Sequence, residues 1–163
     1  MNTRLAALED AAAIATIYNQ GIADRVATFE TRPRTADEVQ TWFDDRHPIV
    51  VVENERGVIA FASTSTYRPR ECYAGIAEFS VYVDRESRGQ GAGFAAMQAL
   101  IAAAEQRGFW KLVSRIFVEN MASRALMQKL GFREVGVYEK HGQLDGGWRD
   151  VVIVEKLIAI NVR

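Results

Sequence analysis

The sequence predicts a single α/β domain, a mixed sheet with helices on both faces. Three observations predict it. Along the chain, apolar residues alternate between helical spacing and strand spacing, segment by segment. A length of 163 residues suits one domain with a core of its own. No repeat, low-complexity tract or linker divides residues 1–163, so no second domain is expected.

Each element has its own signal. Asp10 reads as the N-cap of a helix carrying Ile14, Ile17 and Tyr18 and running to about Gly21. A polar loop through Phe29-Glu30-Thr31-Arg32-Pro33-Arg34 follows. Thr35 caps a second helix, with Glu38 at the capping-box position and Val39, Trp42 and Phe43 as its apolar stripe. Ile49 to Glu53 reads as a strand, Asn54 to Gly57 as a hairpin turn, and Val58 to Ala62 as the returning strand. A further strand covers about Gly75 to Val83. The next helix places Phe94, Met97, Leu100, Ile101 and Ala104 on one face and ends at Gly108 as C-cap. Trp110 to Val118 is a strand and Asn120 to Leu130 a helix. Two last strands cover about Arg133 to Tyr138 and Val151 to Leu157.

Composition excludes several function classes. Twenty basic residues against 21 acidic give a net charge of −1, which argues against a nucleic-acid or anionic-membrane partner. The single cysteine, Cys72, cannot form an internal disulfide, which fits a reducing cytoplasm. The first residues lack the apolar run of a signal peptide, and no stretch approaches the roughly 20 apolar residues that span a bilayer. Two histidines, His47 and His141, and one cysteine argue against a structural zinc site.

The chemistry begins at Val81-Tyr82-Val83-Asp84-Arg85-Glu86-Ser87-Arg88-Gly89-Gln90-Gly91-Ala92-Gly93, where a strand runs through a glycine loop into a helix. Glycines let main-chain N–H groups crowd together, and the helix start adds its own free N–H groups and positive dipole end. The product is a pyrophosphate cradle, to which Arg88 adds a positive charge. No Gly-Lys-Ser/Thr is present, and Gly93 is followed by Phe94, so neither a Walker A loop nor a dinucleotide loop is spelled out. The run Arg88-Gly89-Gln90-Gly91-Ala92-Gly93 resembles instead the Arg/Gln-x-x-Gly-x-Gly/Ala signature of the GNAT acetyltransferases, whose loop holds the pyrophosphate of acetyl-CoA.

Glu119-Asn120-Met121-Ala122-Ser123 through Gly131-Phe132 resembles the second signature of that superfamily. By itself Asn120 reads equally as an ordinary N-cap; the resemblance favours contact with the pantetheine arm, with Ser123 beside it. Ile17-Tyr18-Asn19, Thr28-Phe29-Glu30, Tyr67-Arg68-Pro69-Arg70 with Tyr73, Glu78 to Val83, and Gly147-Trp148-Arg149-Asp150 follow in an order similar to the phosphinothricin and methionine sulfoximine acetyltransferases and their arsinothricin-acting relatives. The resemblance covers nearly the whole chain. It implies a GNAT fold with a mostly antiparallel sheet, acetyl-CoA as co-substrate, a small amino-acid-like acceptor, resistance by detoxification, and a homodimer. It also implies acetyl-CoA contacts from Val81, Tyr82, Val83, Arg88, Gly89, Gln90, Gly91, Ala92, Gly93, Asn120 and Ser123.

Strand alternation supports a mechanism. Phe79, Val81 and Val83 must face the core, which turns Glu78, Ser80 and Tyr82 toward a cleft. An amine attacks only when neutral, so a carboxylate that takes its proton, directly or through water, is needed, and Glu78 is the candidate base. Burial beside tyrosines would raise its pKa toward a useful value; a solvated or salt-bridged glutamate is the competing reading. The N–H of Val83 is the candidate donor to the thioester oxygen. Seven residues after Asn120, where many GNAT enzymes carry a proton-donating tyrosine, stands Met127. A thiol pKa near 8.5 makes thiolate a fair leaving group without it, and Tyr82 or a water could supply the proton.

Acceptor choice is assigned to the Arg68-Pro69-Arg70 turn, Tyr73, Phe29, Phe79 and Ser80, with Arg70 the leading candidate to pair with a carboxylate or phosphinate. A solvated surface pair is the alternative for the two arginines. Cys72 reads as pocket wall. Trp148 and Asp150 fit packing and strand pairing as well as a site. A non-catalytic acetyl-CoA sensor, and an acetyltransferase for peptide N-termini or aminoglycosides, are the rival functions. Glu78 argues against the first, and the arginine-bearing pocket against polycationic acceptors.

Overall fold

Ile49-Val50-Val51-Val52 has no polar alternation because both of its faces are covered. Val50 and Val52 join one core, Ile49 and Val51 another, and all four are buried. The computed structural model describes residues 1–163. It contains seven strands, β1 (Asn2–Leu5), β2 (Ile49–Asn54), β3 (Gly57–Thr66), β4 (Ile76–Val83), β5 (Lys111–Phe117), β6 (Arg133–Leu144) and β7 (Gly147–Leu157). The helices are α1 (Ala11–Asp24), α2 (Ala36–Gln40), α3 (Ala92–Gln106) and α4 (Met121–Lys129).

The strands form one sheet in the order β1-β2-β3-β4-β5-β7-β6. Every neighbouring pair is antiparallel except β4 and β5. Helices α1 and α2 cover one face, packing Ile14, Ile17 and Val39 on Val51 and Phe61. On the other face α3 sets Met97 and Leu100 against Ala60, Ala62 and Phe79, and Met127 of α4 joins the same core. The expected mixed, mostly antiparallel sheet with helices on both faces is therefore present.

β4 pairs with β3 along its length, from Ala60↔Val83 to Thr66↔Ala77. Its parallel pairing with β5 is confined to Ile76↔Lys111, Ala77↔Leu112 and Glu78↔Val113. Beyond Glu78 the two strands part, and the opening between them positions the site.

Some boundaries differ from expectation for physical reasons. Asp10 does not cap α1. It is helical itself (φ −79°, ψ −8°), and its carboxylate accepts the Ala7 N–H at 2.8 Å and two guanidinium bonds from Arg4 at 2.8 and 3.0 Å. Those bonds tie α1 to β1, a short strand with no apolar signal of its own. Gly21 lies inside α1, which ends at Asp24 with Arg25 in the left-handed region (φ 60°). The glycine is there because a Cβ would come within 2.6 Å of the Tyr82 ring. Thr35 and Glu38 form the expected reciprocal cap, but α2 stops at Gln40, and Trp42 and Phe43 pack from the turns after it. Gly108 (φ 84°) closes α3 as expected, with Phe109 N–H bonded to Ala104 O. β6 and β7 run further toward each other than their apolar cores indicate. They meet at Asp145-Gly146 (φ 52° and 80°), a two-residue hairpin turn that places Trp148, Arg149 and Asp150 inside β7.

Candidate active site

The loop after β4 is braced before it opens. Asp84 N–H bonds to Ile59 O at 2.7 Å and Ser87 N–H to Asp84 O at 2.8 Å. From α1, Gln20 Nε2 donates to Asp84 Oδ1 (2.8 Å), and Gln20 Oε1 accepts the Arg85 N–H (2.9 Å). Past this brace, no main-chain N–H from Arg88 through Phe94 finds a main-chain acceptor; the ladder resumes at Ala95 N–H to Gly91 O. Gly89 (φ 79°) and Gly91 (φ 84°) adopt the left-handed region that brings these donors to one side. α3 starts at Ala92 and adds its dipole. Free donors beside a helix N-terminus are an arrangement that can hold an anion.

Arg88 lies beside the loop but is not a free charge. Its Nη2 contacts Asp24 Oδ2 at 2.8 Å, while Arg85 takes the other carboxylate oxygen at 2.8 Å. The Arg88 bond, and then that of Arg85, hold the Asp24 carboxyl below the usual range.

A groove of about 580 Å³ runs from this loop into the opening between β4 and β5. Arg88, Gly89, Gly91, Ala92 and Gly93 line its outer end, Val81, Tyr82 and Val83 one wall, and Asn120 and Ser123 the other. Gln90 is exposed and outside this lining. Lys129 of α4, which sequence reasoning missed, also lines the groove, with its ammonium 5.2 Å from the Phe94 ring centre. Phe94 is thus groove wall rather than core. Asn120 does act as N-cap, accepting the Ser123 N–H at 3.2 Å, and its Nδ2 reaches Val26 O at 3.3 Å across the groove. The N-cap reading is therefore the observed one, and the same residue lines the groove.

The inner end is a small pocket of about 50 Å³ where the strands part, lined by Ser80, Val81, Ser114, Ser123 and Met127 among others. The ladder phase decides which β4 amides face it. Because Asp84 N–H bonds to Ile59 O, the register bonds Tyr82, Ser80 and Glu78 to β3 and turns the N–H groups of Val81 and Val83 away from it, toward the opening. Ser114 Oγ donates to Phe79 O at 2.8 Å and closes the junction.

Side-chain alternation along β4 is as expected for Phe79, Val81 and Val83, which meet the α3 core. Glu78, Ser80 and Tyr82 share the other face, but Tyr82 does not present its hydroxyl to the groove. Its ring packs on Phe61 (5.5 Å) and edge-on to Tyr18 (5.2 Å), and burial pushes its phenol well above the ordinary tyrosine value. It is a poor proton donor to a leaving thiolate. Met127 is buried core, as its chemistry requires.

For Glu78 the salt-bridged reading is the one the structure shows. Its Oε1 is ion-paired with Nη2 of Arg115, and its side chain is about one quarter exposed (26%). Arg115 stands two residues beyond Val113, the partner of Glu78, so both side chains share a face. Its Nη1 lies 3.3 Å from His141 Nε2. The signal for Arg115 was a charge inside an apolar strand, Leu112-Val113-Ser114-Arg115-Ile116-Phe117; its pairing with Glu78 depends on a strand register that no local pattern reveals. On the same face, a second cavity of about 460 Å³ lies between Trp42 and Tyr18 and the hydroxyls of Ser63, Ser65 and Ser80.

The other acceptor candidates are dispersed. Phe29 packs edge-on to Phe117 at 4.8 Å and against Gly142, anchoring the loop after α1. Arg68 lies over the Tyr67 ring at 4.9 Å, and Arg70 and Tyr73 are exposed beside it; none of the three lines the cavities above. Cys72 is exposed rather than a pocket wall. Trp148 is exposed (57%), and Asp150 Oδ1 accepts the Lys140 N–H at 2.7 Å, holding a left-handed residue (φ 48°) at the β6 bulge. Asp150 thus supports the hairpin at its bulge.

This arrangement can be set beside known proteins. The description "Acetyltransferase (GNAT) family" matches residues 14–132. The chain is 35% identical over 157 residues to the L-methionine sulfoximine/L-methionine sulfone acetyltransferase of Pseudomonas aeruginosa, covering 93% of this chain and 91% of that one. It is similar to the crystal structure of a ribosomal-protein-alanine N-acetyltransferase from Brucella melitensis (TM-score 0.92, 31% identity, 97% of this chain and 100% of that chain). It is also similar to a GNAT superfamily phosphinothricin acetyltransferase from Sinorhizobium meliloti in complex with AcCoA (TM-score 0.88, 31% identity, 96% and 87% covered). A splayed β4–β5 pair, a loop of unpaired N–H groups at the head of α3 and these matches over most of its length place the chain in the GNAT family of acetyltransferases.

Proposed function

We propose that this protein transfers the acetyl group of acetyl-CoA to the α-amine of a small amino-acid analogue of the phosphinothricin, methionine sulfoximine or arsinothricin type, and so detoxifies it. One observation carries the reading: the unpaired N–H groups of 88–94 open into a groove that leads to the strand junction beside Glu78. The loop receives the pyrophosphate, and the pantetheine arm lies along Val83 and Val81 toward the junction. Of the two free amides, Val83 is nearer the loop and Val81 nearer the junction. The Val81 N–H therefore suits the thioester oxygen, where charge develops, and the Val83 N–H suits the arm.

Glu78 takes a proton from the acceptor's ammonium, directly or through a water: an N–H bond breaks and an O–H bond forms. The amine lone pair then makes the C–N bond, the C–S bond breaks with its electron pair leaving on sulfur, and the nitrogen gives up its second proton to water, leaving the neutral amide. With Met127 apolar and Tyr82 packed away, the thiolate departs unassisted or is protonated by water. The names of relatives at about one-third identity support the acceptor class.

The test is calorimetry with acetyl-CoA, followed by thiol-release assays on amino-acid analogues, polyamines and peptides. Acetyl-CoA binding with turnover on the amino-acid analogues is expected. No binding at millimolar acetyl-CoA would refute the reading, and turnover confined to peptides would move the acceptor class.

A further inference from the structure

We infer that the Glu78–Arg115 ion pair is the recognition unit for a free, zwitterionic α-amino acid, with Arg115 receiving the acceptor's carboxylate while Glu78 receives its ammonium. The inference rests on the proposed function and narrows its acceptor class.

The geometry is that of a resting pair waiting for two partners. Glu78 on β4 and Arg115 on β5 face the same side of the sheet, next to the junction where the thioester must arrive. Their side chains are 26% and 45% exposed, so neither is sealed from an incoming ligand. A zwitterion carries the mirror image of this pair one carbon apart. Its arrival exchanges one intramolecular ion pair for two intermolecular ones with no change in net charge. That exchange removes the guanidinium from Glu78 just as an ammonium takes its place, so the base is released only when the acceptor is seated.

Arg115 has donors to spare. A guanidinium offers five N–H groups in a planar fork. Glu78 uses Nη2, and Nη1 faces His141 Nε2 at 3.3 Å. His141 sits at the β6 bulge that Asp150 supports, which gives the guanidinium a wall on its outer side. Nearby cations are committed elsewhere: Arg149 lies over the Phe117 ring (5.4 Å), Arg34 pairs with Glu30 and Arg88 with Asp24. Arg68 and Arg70 lie on the exposed turn before β4. Arg115 is therefore the guanidinium placed where an α-carboxylate would stand once its amine is beside Glu78. A peptide N-terminus has no carboxylate there and leaves the pair intact.

The experiment compares L-methionine sulfoximine with its α-carboxamide in thiol-release assays of the full chain. The carboxamide's amine is the less protonated of the two at neutral pH, so chemistry alone would favour it; a preference for the acid reports recognition. Wild type should prefer the acid by about 10- to 100-fold in kcat/KM, mostly through KM, the scale of a charge-assisted contact. Arg115→Met should bring that ratio to about one, Arg115→Lys should restore part of it, and acetyl-CoA affinity should hold in both. Glu78→Gln should instead lower kcat on both acceptors alike. An acid preference that survives in Arg115→Met or stays whole in Arg115→Lys, or equal KM increases for acid and amide, would show that Arg115 only holds Glu78 and would overturn the inference alone. Wild-type turnover of neither compound would overturn the inference together with the proposed function.

Discussion

Replacing Gly91 by alanine should separate the anion cradle from the fold that carries it. Gly91 has φ 84°, and a Cβ built there meets only the Met1 side-chain terminus, at 4.0 Å. The substitution therefore creates no clash, and its cost to folding is the left-handed strain of a non-glycine residue, about 1–2 kcal/mol. For a chain of this size that lowers Tm by about 2–8 °C. Binding should suffer more. The new methyl stands among the N–H donors of 88–94, where a phosphate must approach to hydrogen-bonding distance. Losing one such charge-assisted bond costs about 1.5–3 kcal/mol, a rise in the KM for acetyl-CoA of about 10- to 100-fold. Gly108→Ala is the matched control: its φ is also 84° and its Cβ meets nothing within 4 Å, but it closes the far end of α3. It should lose similar Tm and keep its KM. Steady-state kinetics and thermal melts on both variants decide the matter. Unchanged KM in folded Gly91→Ala, or an equal KM increase in Gly108→Ala, would refute the cradle.

Glu78→Gln should lower kcat by about 100-fold or more and flatten the acidic limb of kcat/KM, with acetyl-CoA affinity retained; an effect confined to the amine KM would make Glu78 a ligand rather than a base. Asp10→Asn should destabilise the fold by about 1–3 kcal/mol at neutral pH, since it loses the Arg4 fork. The Arg4 bonds hold the Asp10 carboxyl below its unfolded value of about 3.9, so its contribution is complete above that pH and is lost as pH falls through the folded pKa. Denaturant melts should accordingly show wild type and variant converging in strong acid; a gap that persists there would contradict this. The β6–β7 hairpin exposes Val135, Val137, Tyr138 and Trp148 at 45–57% on a sheet edge, which favours an isologous homodimer. Light scattering that returns a strict monomer at assay concentration would exclude it.

What could be read in the sequence was whatever is encoded locally. The glycine loop, the Thr35–Glu38 cap and the alternation of Phe79, Val81 and Val83 are properties of short segments, and the structure repeats them. The position of Gly21 was misread because its reason lies in the Tyr82 ring, 61 residues away in the chain. Arg115 was missed for the same kind of reason: its partner is Glu78, on a parallel neighbour joined through α3. β1 has too little apolar pattern to declare itself, and the β6–β7 hairpin was cut short because its outer residues are exposed. Tyr82 alternates into the cleft by counting, but only α1 and Phe61 determine that its ring packs away from the groove.

The parting of β4 from β5 has a mechanical consequence. Only three ladder rungs join the two strands, from Ile76↔Lys111 to Glu78↔Val113, and with the Ser114–Phe79 and Arg115–Glu78 side-chain links beside them they form a seam between two half-sheets. One half is β1 to β4 with α3 laid across it, and the other is β5 to β7 with α4 against β6. A pantetheine arm lodged in the opening would accept hydrogen bonds from one half and contact the α4 side of the other, acting as the rungs that the protein itself omits. The co-substrate would then be a structural member of the sheet for as long as it stays. Saturating acetyl-CoA should stiffen the seam, adding about 2.7 kcal/mol at a hundredfold excess over Kd by mass action. Amide exchange should slow most at Val81 and Val83, with the interior of β2 little changed. Release of the spent thiol would return the seam to its looser state, so the motion that admits the next molecule would come from the departure of the last.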